Sequence, residues 1–202
     1  LGGPACLRTA ALLQPAPQTP PVGQTEVTTI ARDHTLEEVA AVVWEALDRA
    51  RIPVVLSGGA VVSIYSDNAY ESFDLDFIRQ GVARKVDRVM IELGYRSQGR
   101  HWIHPDSPFW IEFPPGPVQV GDAIVSEFAE LRTRVGTLRL LAPTECVMDR
   151  LAGYYHWDDP QCLDQAIEVA GRQSIDVERI ESWSRGERSL EKFRRFRERL
   201  RE

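Results

Sequence analysis

The chain reads as an α+β protein: a mixed sheet flanked by helices, with a helical C-terminal extension. Three observations predict this. Short runs at Val54–Ser57, Phe73–Ile78 and Phe109–Phe113 are apolar or alternate apolar with acidic residues, the pattern of buried and half-buried strands. Stretches with apolar residues three and four apart precede and separate them. From Pro143 onward every segment has helical character.

The elements follow in order. Thr35 can cap a first helix, with Glu37 and Glu38 in its first turn and Val39, Val42, Val43, Ala46 and Leu47 at helical spacing. Arg51-Ile52-Pro53 ends that helix and launches the strand Val54–Ser57. After Gly58-Gly59, Ala60–Tyr65 reads as a short helix, and Asp67-Asn68 turns the chain into the strand Phe73–Ile78. Val82–Leu93 is a helix across the sheet, closed by Gly94. Tyr95–Ser97, Trp102–His104 and Phe109–Phe113 are short strands, broken by Gly99 and Pro105-Asp106 and stopped at Pro114-Pro115-Gly116-Pro117. Ala123–Arg134 and Thr137–Leu141 are two further strands or a pair around Gly136. Helices are expected at Pro143–Tyr155, Gln161–Ala170, Val177–Trp183 and Leu190–Leu200.

At 202 residues, 43% hydrophobic and 27% charged, the chain can bury one core. Its net charge of −6 argues against wholesale binding to a polyanion. Cys6, Cys146 and Cys162 are odd in number and lack metal-type spacing, so neither a disulfide framework nor a zinc site is expected, and a reducing cytoplasm fits. No apolar run reaches the ~18 residues that span a bilayer, so no membrane is expected as partner. Residues 1–30 carry five of the thirteen prolines and only two charges, Arg8 and Glu26. They are read as a flexible Pro-rich arm, with an α/β domain over 31–142 and a helical region packed on it over 143–202.

The candidate chemistry lies between Leu56 and Phe77. A glycine pair, Gly58-Gly59, follows an apolar strand and precedes a helix, so backbone N–H groups can approach phosphate oxygens there. Ser57 can add a hydroxyl. Asp74 and Asp76, two residues apart on a strand, leave from one face. Two carboxylates that close repel each other unless a cation lies between them, and oxygen-only ligands suit Mg²⁺ or Mn²⁺. Glu112, centred in the apolar strand Phe109–Phe113, is either a third ligand beside them or buried in an ion pair with an arginine such as Arg84 or Arg100.

The order of strand, Gly-Gly, helix, Asp-x-Asp strand and a later acidic strand resembles the nucleotidyltransferase superfamily, with its polymerase-β-like palm. The resemblance runs over roughly residues 53–155 and includes minimal nucleotidyltransferases and toxin-type members of toxin–antitoxin and phage-defence systems. It implies a nucleotidyltransferase-like fold in which Asp74, Asp76 and Glu112 hold Mg²⁺ (or Mn²⁺), and Ser57, Gly58, Gly59 and Ser72 cradle the phosphates of an NTP. Leu141-Ala142-Pro143-Thr144-Glu145 followed by Arg150-Leu151 is similar to the Pro-initiated helix of the toxin-type branch, and assigns Arg150 to the site. The chain departs from the family pattern in a longer spacer after Gly-Gly, in Tyr70 where Arg is common, and in Arg150 where Lys is commoner. The implied activity is transfer of a nucleoside monophosphate to a hydroxyl on a protein, an RNA or a small molecule. The alternative is a catalytically silent fold used for binding or regulation.

Two further segments are expected to matter less directly. In Tyr154-Tyr155-His156-Trp157-Asp158-Asp159, Tyr155 and Trp157 are read as core and Asp158 or Asp159 as a helix cap, although His156 could meet a phosphate and Asp158 a ribose hydroxyl. His101 and His104, flanking Trp102, are read as surface residues. The last helix is basic and amphipathic, with residues 171–202 holding 10 Arg/Lys against 7 Asp/Glu. Docking on its own domain, on an antitoxin-like protein partner or in a homodimer is preferred over RNA, because the remainder of the chain is acidic.

Overall fold

The computed structural model describes residues 29–79, 83–121, 123–125 and 127–201. The expected flexible arm over 1–30 lies outside the described residues as far as residue 28, and Ile30 is buried in the core.

The first helix, α1 (Leu36–Arg49), opens with a capping box in which Thr35 and Glu38 each bond the other's backbone N–H. It buries Val39, Val42, Val43 and Leu47 of the expected face, leaves Ala46 half-buried and adds Leu36. Then come β1 (Val54–Ser57), α2 (Gly58–Tyr65), β2 (Asp74–Arg79) and α3 (Ala83–Glu92). Three short strands follow, β3 (Arg96–Gln98), β4 (His101–Ile103) and β5 (Trp110–Glu112). A separate two-stranded ribbon, β6 (Gln119–Val120) and β7 (Ala123–Ile124), precedes the hairpin of β8 (Phe128–Arg132) and β9 (Thr137–Leu141). The chain ends in α4 (Pro143–Trp157), α5 (Pro160–Arg172), α6 (Val177–Gly186) and α7 (Leu190–Arg199). The long strand expected over Ala123–Arg134 is thus two strands, β7 and β8, with Val125 paired back to Val118 between them.

Among the described residues the main sheet has seven strands, in the order β3-β4-β5-β2-β1-β9-β8. Two pairings, β1 with β9 and β2 with β5, are parallel, and the rest are antiparallel. The fold is α+β with a mixed sheet, flanking helices and a helical C-terminal part. Strand β1, buried at all four positions, lies between β2 and β9, so the chain just before Gly58 sits at the centre of the sheet.

Long-range polar contacts fix the helices on this sheet. Arg134 in the β8–β9 turn grips both carboxylate oxygens of Glu38, at 2.9 and 3.1 Å, and that bond holds the Glu38 carboxyl below its usual pKa. Tyr65 at the end of α2 donates to the Leu141 carbonyl just before α4 (2.8 Å). At the far end of α4, Lys192 of α7 donates to the Tyr154 and Tyr155 carbonyls (2.9 and 2.7 Å) and pairs with Asp158. Phe193 and Phe196 bury the apolar side of α7. Among the described residues, no helix is long and apolar enough to cross a membrane.

The central strand should dominate stability. Leu56→Ala, at a residue with no exposed surface, is expected to cost about 2–5 kcal/mol through lost burial and an unfilled cavity. Ile91→Ala, 64% exposed on α3, should change stability by less than about 0.5 kcal/mol. Urea unfolding midpoints of the two variants check the contrast.

Candidate active site

The site forms where β1 turns into α2, opposite the first half of β2. Ser57 pairs in register with Asp76 across the antiparallel β1–β2 ladder, so Gly58 is delivered to the Asp76 side chain. Gly58 has φ +70°, and a Cβ there would collide with the Asp76 carboxylate. A Cβ on Gly59 would come within 3.1 Å of Ser72 Oγ and 3.3 Å of the Tyr70 ring. The glycine pair therefore lets Asp76, Ser72 and Tyr70 close around the start of α2, which begins at Gly58, two residues earlier than its apolar pattern indicates.

Each hydroxyl has a local task. Ser72 Oγ accepts from Asp74 N–H (3.2 Å) and donates to the Asp74 carbonyl (3.1 Å), which shapes the entry into β2. Ser57 is buried, and its hydroxyl donates to the Asp76 carbonyl (3.2 Å) instead of capping α2.

The alternation of β2 buries Leu75 and Phe77 and sends Asp74 and Asp76 to the other face. Parallel pairing with β5 places Trp110 beside Asp74 and Glu112 beside Asp76, about 4.8 Å away between strands. The three carboxylates thus share one sheet face. Among the described residues Asp74 Oδ1 is buried without a hydrogen-bond partner, and its carboxyl is pushed up by burial and by Glu112, against a hydrogen bond from Trp110 and the charges of His101 and Arg100. Asp76 is pushed up to about 6, first by burial, then by Asp74, Glu112 and Asp149, with Arg150 opposing.

Glu112 is held differently. Its Oε1 lies 3.0 Å from Arg100 Nε and 2.5 Å from His101 Nε2, the second of the two readings its sequence context allows. These contacts are ionic in distance but lack hydrogen-bond alignment, since the same oxygen makes no directed hydrogen bond. Among the described residues no three His, Cys, Asp or Glu side chains stand at metal-holding spacing. The two aspartates, with an orphaned buried oxygen and mutual repulsion, fit a divalent cation; Glu112 as oriented faces Arg100 and His101.

Arg150 enters from α4, where it bonds Asp149 and the Gln165 side chain (3.3 Å). Burial alone would lower its pKa, but Asp149 outweighs burial and the net direction is upward, so it is a fixed cation near Asp76. The dense segment at the end of α4 serves packing. Asp159 caps α5, Tyr155 is buried, and His156 and Asp158 are taken by Glu187 and Lys192. Trp157, expected in the core, is 76% exposed because it follows the last inward-facing turn of α4. Sequence reasoning missed Asp149 and the inward turn of His101. The alternation of Phe109–Phe113 already puts Trp110 on the face of Glu112, whereas His101 reaches it only through the β4–β5 pairing.

No protein-family model matches the chain, and no curated protein sequence matches it. Three solved structures are similar to it. A nucleotidyltransferase-like antigenic protein from Paracoccidioides brasiliensis is 17% identical over 66% of this chain and 74% of that one, with a TM-score of 0.51. ANT(2'')-Ia in complex with adenylyl-2''-tobramycin is 15% identical over 81% of this chain and 97% of its own, with a TM-score of 0.46. The solution structure of ANT(2'')-Ia is 16% identical over 81% and 91%, with a TM-score of 0.41. At these identities the first likeness speaks for the fold, which is nucleotidyltransferase-like.

The folded pKa of Asp76 lies above that of an unfolded aspartate, so its crowding is absent at low pH and destabilises the chain as pH rises through about 6. Asp76→Asn should accordingly stabilise the protein at pH 8, by about 1–2 kcal/mol after allowance for solvent screening, and leave pH 4 stability unchanged. Mg²⁺ should raise the melting temperature of the unsubstituted chain at pH 8 but not that of the variant. Thermal melts at the two pH values, with and without Mg²⁺, check both expectations.

Proposed function

We propose that the chain is a metal-dependent nucleotidyltransferase that moves a nucleoside monophosphate from an NTP to a hydroxyl acceptor. The observation that carries this is the in-register placement of Asp74, Asp76 and Glu112 on one face, next to a glycine pair at a helix N-terminus. Asp74 and Asp76 would hold Mg²⁺ or Mn²⁺, which neutralises phosphate charge as it develops. The backbone N–H groups at Gly58 and Gly59 orient the departing phosphates at the positive end of α2. Arg150, half-buried and permanently charged, offsets negative charge from the α4 side. Glu112, with His101 against it, is positioned to take the acceptor's proton. Positioning and fixed charge supply the rate, and no covalent protein intermediate is required.

A second reading, a silent fold used for binding or regulation, is favoured by the engagement of Glu112 with Arg100 and His101 and by Tyr70 against Gly59. Calorimetry separates the two: Mg²⁺-dependent NTP binding supports the enzyme, and no binding of any NTP supports the silent module. For the enzyme, Mg²⁺-dependent label from α-³²P NTP should fall on the order of 100-fold or more in Asp74→Asn/Asp76→Asn. Undiminished labelling by that variant would refute the assignment.

A further inference from the structure

Beyond Glu112 the acidic face continues onto an apolar shelf. Trp102 pairs with Ile111 across β4 and β5, and both are buried, so His101, Ile103 and Trp110 share the opposite face with Glu112. Together with Gln98 and Gly99 they line an open hollow of about 510 Å³. Ile103 and Trp110 are 40% and 38% exposed. Phe73 stacks on Trp110 with ring centroids 6.3 Å apart, and His101 meets Trp110 edge-on at the same distance. Large apolar side chains left open beside charged groups mark a binding surface.

The sheet order fixes which reactant the shelf can serve. Gly58-Gly59 lies on the β1 side of β2, whereas β5 and β4 lie on the other side. In-line displacement keeps the attacking and leaving oxygens on opposite sides of the phosphorus. With pyrophosphate toward the glycine pair, the attacking hydroxyl arrives from the β5 side, across the shelf.

We propose that His101, Ile103 and Trp110 form the acceptor subsite, and that it takes a small uncharged compound whose hydroxyl is carried on a flat aromatic ring. This rests on the nucleotidyl-transfer reading of the neighbouring carboxylates. The flat rings of Trp110 and His101 and the side chain of Ile103 suit stacking and apolar contact. Among the described residues the hollow's lining itself holds no carboxylate, and the neighbouring Glu112 is already engaged by Arg100 and His101. In the transfer, the phenolic oxygen bonds to the α-phosphorus and the bond from that phosphorus to the β-bridging oxygen breaks. Pyrophosphate leaves with the electron pair, and the hydroxyl proton passes to the Glu112 carboxylate. A phenol, ionising near pH 10, gives up that proton more readily than an alkyl alcohol.

Fluorine NMR on the full chain tests this with 4-fluorophenol and the non-aromatic 4,4-difluorocyclohexanol. The phenol line should broaden on binding and the cyclohexanol line should not. Ile103→Ser should weaken phenol binding about fivefold or more, while Ile103→Leu retains it. Mn²⁺ should broaden the phenol line further in the unsubstituted chain and not in Asp74→Asn/Asp76→Asn, and α-³²P NTP should label the phenol in preference to the cyclohexanol. Absent or equal binding of the two probes, indifference to Ile103→Ser, or equal labelling overturns the proposal. NTP turnover without phenol binding removes the acceptor subsite alone. Phenol binding at Ile103 with neither turnover nor an effect of Mn²⁺ removes the nucleotidyl-transfer reading, and the acceptor role with it.

Discussion

The parallel pairing of β2 with β5 is the constraint on which the rest depends. It sets Asp76 beside Glu112 and Asp74 beside Trp110, and alternation then forces every acidic side chain of the pair to one face while Leu75, Phe77 and Ile111 fill the core. The arrangement is electrostatically unfavourable by itself, as the upward displacement of both aspartates shows. Burial of the apolar face holds it in place. A slip of β2 by one residue would move Asp74 and Asp76 into the core and Leu75 and Phe77 out of it, so the same hydrophobic pattern that builds the sheet also keeps the charges together.

Glycine completes the arrangement from the other side. The β1–β2 register brings Gly58 against the Asp76 carboxylate, a position with no room for a side chain. The acidic pair, the small residues at the start of α2 and the cation on α4 therefore meet at one point although they come from three separate stretches of sequence. Arg100 and His101 add a counterweight on the far side of Glu112.

Much of this is legible in the sequence alone. Thr35 with Glu38, the apolar run before Gly58, the alternation around Asp74 and the Pro143 helix start are local signals, and each produced the expected element within about two residues. The co-location of Glu112 with the aspartates could be inferred only as a condition, because strand neighbours are not encoded in a single strand. From sequence His101 reads as a surface residue for the same reason: three-residue strands carry too little periodicity to tell which face a side chain takes. The break between β7 and β8 was hidden because residues 123–134 hold neither glycine nor proline to mark it. Trp157 was misplaced because an aromatic residue at a helix end has no turn beyond it to show which side it faces.

Lys192 joins the end of the chain to this centre. By bonding the Tyr154 and Tyr155 carbonyls it closes the C-terminal end of α4, the 15-residue rod whose middle carries Asp149 and Arg150. Tyr65 steadies the other end through Leu141. The rod is thus moored at both ends, once by the sheet domain and once by the last helix. A chain shortened before residue 190 would keep every acidic residue of the site yet lose one mooring of the arm that aims its cation. The tail is part of the aim.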